Sequence, residues 1–313
     1  MSATRPGSAN ASLLDPAALM AIRNLELRAR TVVQGLWHGL HRSPYHGFSV
    51  EFTEYRPYAE GDDPRYLDWR LVARSDRYYI KKFEDETNLR CHLLIDNSRS
   101  MTFGSRGYTK AEYANTFAAT LAYFLSKQGD AVGLLTFDEA VREYLPARNR
   151  PGHLRQLMLA LENPAGGKAT DLIAPLRRMS ELMRRRGMIV LASDLLAPIS
   201  ALETSLGTLT ASGHEVLVFQ VLDPAELAFS FETPSRFVDL ETGRDVFLDP
   251  ALARAEYQRK FEAHSAEVRA ICDRLGISFE RVVTDRPLEL VLYDFLKMRQ
   301  QLGKIVLRRR KAA

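Results

Sequence analysis

From about residue 89 onward, short apolar runs alternate with segments of helical period, and this alternation constrains the fold more than any other feature of the chain. RCHLLID (90–96), AVGLLTF (131–137), MIVLAS (188–193), HEVLVFQVL (214–222) and ISFERVV (277–283) each read as a strand buried on both faces. Between them, Thr109 and Glu112 form a capping box for a helix whose inner face is Tyr113, Phe117, Leu121, Phe124 and Leu125, and Gly129 ends it. HLRQLMLAL, TDLIAPLRRMSELMRR, SALETSLGTLTAS, residues 251–275 and LELVLYDFLKMRQ read as further helices, and RFVDLETGRDVFLD as a hairpin turning at Thr242-Gly243. Strands that alternate with helices require crossover connections and a parallel sheet covered on both faces. The expectation is an α/β domain over 89–302, with a doubly wound, mostly parallel sheet of Rossmann type. Its ligand site should lie beyond the carboxyl ends of the strands.

The N-terminal part reads differently. Residues 1–14 lack any periodic pattern and are expected to be a flexible tail. Asp15 caps a helix with Pro16 in its first position, and Leu19, Ile22, Leu25 and Leu27 carry it on through Val32, Leu36 and Leu40. SVEFTEY and RYYIKKFEDE read as strands around a Gly-Asp-Asp-Pro turn and a short helix capped by Asp63. Residues 15–88 thus form an N-terminal helix and a small α+β annex. In it, Asp62, Asp63 and Asp68 among Arg65, Arg70 and Arg74 read as caps and ion pairs, and Trp69 as a buried anchor.

Composition excludes several classes. The 43 basic and 39 acidic residues leave a net charge of only +4, and the basic clusters at Arg184–Arg186 and in the tail 303–313 read as solvated, so a nucleic-acid partner is disfavoured. Cys91 and Cys272 do not make a disulfide framework and read as two buried thiols. There is no apolar run of about 18 residues to span a membrane. Nor does the start of the chain have the pattern of a secretory signal, so the expected location is cytoplasmic.

The stretch CHLLIDNSRSM places Asp96 at the end of an apolar strand, with Ser98 and Ser100 at alternate positions after it. Asp194 follows MIVLAS in the same strand-end context, and Thr170 stands in the glycine-rich loop GGKATDLI. Each has an ordinary reading: turn residues for Ser98 and Ser100, helix caps for Thr170 and Asp194, a first-turn carboxylate for Asp171. Together, two strand-end carboxylates and three hydroxyls make a set of hard oxygen ligands. Without His or Cys, such a set suits Mg²⁺ or Mn²⁺ rather than zinc or copper.

DNSRS matches the D-x-S-x-S element of von Willebrand factor A-like domains, and its relation to Thr170 and Asp194 resembles that family's metal-ion-dependent adhesion site. YRPYAEGDDPRYLDWRLVARS together with FEDETNLRCHLLIDNSRSM resembles the bacterial proteins grouped as domain-of-unknown-function family 58. The resemblance implies a von Willebrand factor A-like fold with Ser98, Ser100 and Thr170 as hydroxyl ligands, and Asp96 and Asp194 binding the ion directly or through water. It implies that a partner's carboxylate completes the coordination, and that the protein works as an adaptor of a MoxR-type AAA+ ATPase. Arg99, inside the motif, is not a ligand type and is expected to face solvent.

Two functions remain open at this level. One is a non-enzymatic, metal-dependent protein-binding module. The other is a metal-dependent phosphoryl hydrolase (a phosphatase or nuclease) built on Asp96. Against the second, Ser98 stands where aspartyl-phosphate enzymes place a second carboxylate, and Lys168 is the only lysine near the motifs. A two-metal nuclease also calls for more than two carboxylates.

Overall fold

The computed structural model describes residues 14–42, 54–57, 79–82, 89–166, 172–183, 186–238 and 245–299. The chain divides into two compact units, residues 39–88 and the remainder. In the smaller unit, β1 (Glu54–Pro57) and β2 (Tyr79–Lys82) pair antiparallel, Glu54 opposite Lys82 and Pro57 opposite Tyr79. The expected turn, short helix and Trp69 lie outside the described residues.

In the larger unit the first helix expected from the sequence is two. α1 (Pro16–Met20) is capped by Asp15, whose carboxylate accepts from Ala17 N and Ala18 N. α2 (Leu25–Arg42) starts afresh, because Asn24 Oδ1 accepts from Leu27 N at 2.7 Å and so offers the backbone an alternative to a continuous helix. Ala29, Val32, Val33 and Leu36 are buried along α2, and the Trp37 ring lies 6.3 Å from that of Phe124. Residues up to His38 thus group with the α/β unit, whereas the sequence suggests a boundary after residue 88.

The main sheet comprises β3 (Arg90–Asp96), β4 (Ala131–Phe137), β5 (Val141–Arg148), β6 (Met188–Ser193), β7 (Glu215–Leu222) and β10 (Ser278–Val283), in the order β10-β7-β6-β3-β4-β5. All neighbours are parallel except β4 and β5. The helices are α3 (Lys110–Lys127), α4 (His153–Leu161), α5 (Ile173–Leu182), α6 (Ile199–Ala211), α7 (Pro224–Ala228), α8 (Pro250–Leu275) and α9 over 288–299. Leu94, Leu135, Ile189, Leu191 and Val218 pack with Leu176, Met179, Leu206, Val268 and Ile271 from α5, α6 and α8 in one apolar cluster. Phe117 of α3 meets Phe219 of β7 with ring centroids 4.7 Å apart. The capping box of Thr109 and Glu112 forms as expected. β8 (Ser235–Val238) and β9 (Asp245–Leu248) make the expected hairpin, its turn outside the described residues. The doubly wound, mostly parallel α/β fold expected from the sequence is the fold observed.

β5 has no counterpart in the sequence reading. VREYLPAR carries a proline and three exposed charged residues, Arg142, Glu143 and Arg148, a composition that fits only a sheet edge. Its register with β4 shifts between Val132 and Leu134, and at Gly133 the β5 backbone comes so close that a Cβ would lie 2.8 Å from Ala147 N and 2.9 Å from Leu145 O. Gly133→Ala should therefore cost about 1–3 kcal/mol by overpacking, read as a lower urea midpoint with unchanged slope.

His92 of β3, buried beside this glycine, is pushed down to about 4 by desolvation, with the neighbouring His214 and Arg90 adding to the effect. The unfolded chain therefore takes up a proton that the folded state refuses between pH 6.5 and 4. The His92 contribution to stability should fall as the pH drops through that window, by up to about 1.4 kcal/mol per unit. Buried carboxylates with raised pKa values, such as Asp96, act with the opposite sign in both proteins, so the His92 contribution is read as a difference: urea titrations at pH 7, 5.5 and 4.5 should show the wild type losing stability relative to His92→Gln as the pH falls.

The chain runs from β3 outward to β4 and β5, then crosses to β6 on the opposite side of β3 and continues through β7 to β10. The strand order therefore reverses between β3 and β6. In an open α/β sheet the crevice at such a reversal, at the carboxyl ends of the strands, is where ligands bind.

Candidate functional site

The two strands flanking the reversal end in Asp96 and Ser193, and the residue after Ser193 is Asp194. Both carboxylates are buried, at 0% and 1% exposure. After Asp96 the chain turns at once: Asp96 Oδ1 accepts from Ser98 N at 2.9 Å, and Ser98 and Ser100 bring their hydroxyl oxygens within 3.1 Å of each other at the start of a short 3-10 turn, Ser100–Thr102. The alternation that stands out in the sequence thus becomes two adjacent oxygens next to a carboxylate. Arg99 points out, exposed. Thr170, Asp171 and Lys168 lie outside the described residues.

Ser193 completes the surroundings of Asp96. Its hydroxyl donates to Asp96 Oδ2 at 2.6 Å and accepts from Leu195 N at 3.0 Å. The next turn is unusual. Leu195 is fully buried with φ +58°, a left-handed conformation that costs a bulky side chain of this kind on the order of 1–3 kcal/mol. It is held there by His264 Nε2, which donates to Leu195 O at 2.9 Å, while Gln220 Nε2 donates to Asp194 O at 3.2 Å.

Asp194 has a partner that sequence reasoning does not supply. Lys110, in the first position of α3, is fully buried, and its ammonium donates to Asp194 Oδ2 at 2.9 Å and to Glu226 Oε1 at 2.6 Å. Burial alone would lower its pKa, but the two carboxylates outweigh burial and hold it protonated. Glu226 belongs to α7 and caps it reciprocally with Asp223. Asp223, at the end of β7, accepts from Ser105 N at 2.9 Å, Ser105 Oγ at 2.5 Å and Ala225 N at 2.8 Å. The ends of β6 and β7, the start of α3 and the loop after Ser100 are thus joined by one buried polar network. Only a lysine directly after a capping threonine marks Lys110 in the sequence, and that position is ordinarily solvent-facing.

The residues present fit a hard divalent cation. Both Asp96 oxygens accept only from neutral donors, and among the described residues the carboxylate has no ion pair. Desolvation first and the Asp194 charge second push it well above the ordinary carboxylate range. Such a group is neutralised either by a proton or by a cation. Among the described residues no three His, Cys, Asp or Glu side chains converge as a metal cluster, so an ion here would rest on two carboxylates and on hydroxyls. Lys110 is wholly buried and its ammonium is engaged by two carboxylates, an arrangement unlike that of a lysine that meets a phosphate from solvent.

Several known proteins are similar to this chain. It is 31% identical over 287 residues to Uncharacterized protein Rv1480 of Mycobacterium tuberculosis, covering 90% of this chain and 89% of that protein. It is also 31% identical over 150 residues to Uncharacterized protein MAV169 of Mycobacterium avium, covering 47% of this chain and 86% of that protein. Among solved structures, an aerotolerance-related membrane protein from Bacteroides fragilis aligns over 66% of this chain and 97% of its own, with 16% identity and a TM-score of 0.44. The SpRpn10 VWA domain aligns over 65% and 93%, with 13% identity and a TM-score of 0.37. In this chain, among the described residues, no helix is long and apolar enough to cross a membrane. Residues 54–267, more than half of the chain, match the family described as Protein of unknown function DUF58, and the protein belongs to that family.

Proposed function

We propose that this protein is a non-enzymatic binding module that holds Mg²⁺ or Mn²⁺ on Asp96, Ser98, Ser100, Thr170 and Asp194 and uses it to capture an acidic residue of a protein partner, a MoxR-type AAA+ ATPase. The observation that carries this reading is the buried Asp96 carboxylate, which has only neutral partners among the described residues and lies beside paired hydroxyls where the strand order reverses. A divalent ion held largely by neutral hydroxyls stays electrophilic enough to take an outside carboxylate. Asp96 and Ser193 fix the inner side of the site, and Lys110 neutralises Asp194 from below. Leu196, 43% exposed, follows Asp194 and gives the rim an apolar contact of the kind that surrounds a desolvated charge pair in an interface.

The test is titration calorimetry between the full-length chain and such an ATPase. Binding should require Mg²⁺, vanish in EDTA, and weaken at least tenfold in Ser98→Ala while the melting curve in EDTA is unchanged. Leu196→Arg should weaken the complex without altering Mg²⁺ affinity. Full-strength binding in EDTA by folded protein would refute the metal-mediated mode. Turnover of generic phosphate esters with Mg²⁺ or Mn²⁺, lost in Asp96→Asn, would establish a hydrolase instead.

A further inference from the structure

The Lys110 ammonium touches two carboxylates, and a third, Asp96, faces Asp194 closely enough for their charges to interact. Asp96, Asp194 and Glu226 against Lys110 leave two negative charges in excess, the amount one divalent ion neutralises; the Asp223 carboxylate stands outside this count, its oxygens accepting instead from Ser105, Ala225 and Thr284. The base is also fixed in place. Lys110 is anchored at the start of α3 by Lys110 N donating to Phe103 O at 2.9 Å, its side chain is 0% exposed, and Glu226 is held by Asp223 N donating to its Oε2 at 2.9 Å. The Lys110 ammonium also engages one oxygen of Asp194, which leaves Oδ1, with a weak bond from Leu196 N at 3.3 Å, as the oxygen turned to other partners.

We infer that Lys110 and Glu226 are the specificity-determining residues of the cation site: as a balanced, fixed charge pair behind Asp194 they keep the site's net charge at the two negatives of Asp96 and Asp194, which suits a divalent ion rather than a monovalent or trivalent one. This rests on the cation reading above and adds to it two residues that supply no ligand. Removing the ammonium leaves three negative charges and should favour a trivalent ion. Removing the Glu226 charge leaves one and should penalise the trivalent ion most. A purely structural role would change affinity for all ions by similar factors, because distortion does not count charge.

The experiment compares Mn²⁺ and Tb³⁺ binding to the full-length chain, by Mn²⁺ electron paramagnetic resonance and Tb³⁺ luminescence, in wild type, Lys110→Met, Lys110→Arg and Glu226→Gln. The expected result is a Tb³⁺-to-Mn²⁺ affinity ratio at least tenfold higher in Lys110→Met, at least tenfold lower in Glu226→Gln and near wild type in Lys110→Arg. Should Lys110→Met fail to fold, Glu226→Gln decides alone through its ratio. A ratio unchanged in the variants, with Mn²⁺ still bound by the wild type, overturns this inference and leaves the cation site standing. A wild type that takes up neither ion at 10 mM (about tenfold above a millimolar dissociation constant) overturns the site itself.

Discussion

Mg²⁺ is expected to stabilise the wild type and to leave Asp96→Asn unmoved, narrowing or reversing any lead the variant has in EDTA. In EDTA the wild type keeps a buried carboxylate with only neutral donors and with Asp194 nearby, so removing its charge should leave stability equal or raise it by about 1–3 kcal/mol. The asparagine retains the acceptor for Ser98 N, and its amide can donate to Ser193 Oγ, so the turn is preserved. In ~10 mM Mg²⁺ the wild type should gain roughly 1.4 kcal/mol if the dissociation constant is about 1 mM, and the variant nothing. Its metal affinity should drop more than a hundredfold. Thermal melts of both proteins in EDTA and in Mg²⁺ give the four values needed. If the variant is the less stable in EDTA and Mg²⁺ shifts both equally, Asp96 is a structural turn residue.

Asp223→Ala should be among the most destabilising polar substitutions in the chain, at about 3–5 kcal/mol. Asp223 is fully buried and accepts from Ser105 N, Ser105 Oγ and Ala225 N, with Thr284 Oγ1 at 3.5 Å. Bonds to a charged acceptor contribute about 1.5–3 kcal/mol each, and truncation strands their donors. The damage should spread beyond α7. Ser105 stands in the loop between the site serines and α3, and Glu226, which holds Lys110, is capped by Asp223 N. Amide hydrogen exchange should therefore accelerate at Ser98–Lys110 as well as at 223–228. Protection lost only at 223–228 would mean that the network does not transmit the change.

What was legible in the sequence and what was not divide along physical lines. Asp96, Ser98 and Ser100 are readable because a continuous apolar strand ends abruptly and short polar side chains follow it, a local pattern. The α3 capping box was readable because its two members are three residues apart. Lys110 was not, since its partners are 84 and 116 residues away and its own position resembles an exposed helix start. Ser193 reads as no more than the last residue of an apolar run, although its hydroxyl is the donor facing Asp96 Oδ2. The break between α1 and α2 turned on one side-chain cap at Asn24, which competes with an apolar period that continues undisturbed. β5 was hidden by the proline and charges that suit it to an edge, and strand patterns are usually read from buried interiors.

That edge bears on how the protein behaves among its own copies. An antiparallel strand with open hydrogen-bonding groups is an invitation to another chain, and here it is withdrawn in three ways at once. Pro146 offers no N–H, the irregular register opposite Gly133 breaks the spacing a newcomer would need, and Arg142, Glu143 and Arg148 put charges on the approach. Glutamate or valine at position 133 would disturb packing, but a smoother, proline-free β5 would do something different. It would turn a sheet that stops into one that can be extended, and the first sign would be concentration-dependent aggregation of a protein whose monomer is fully folded.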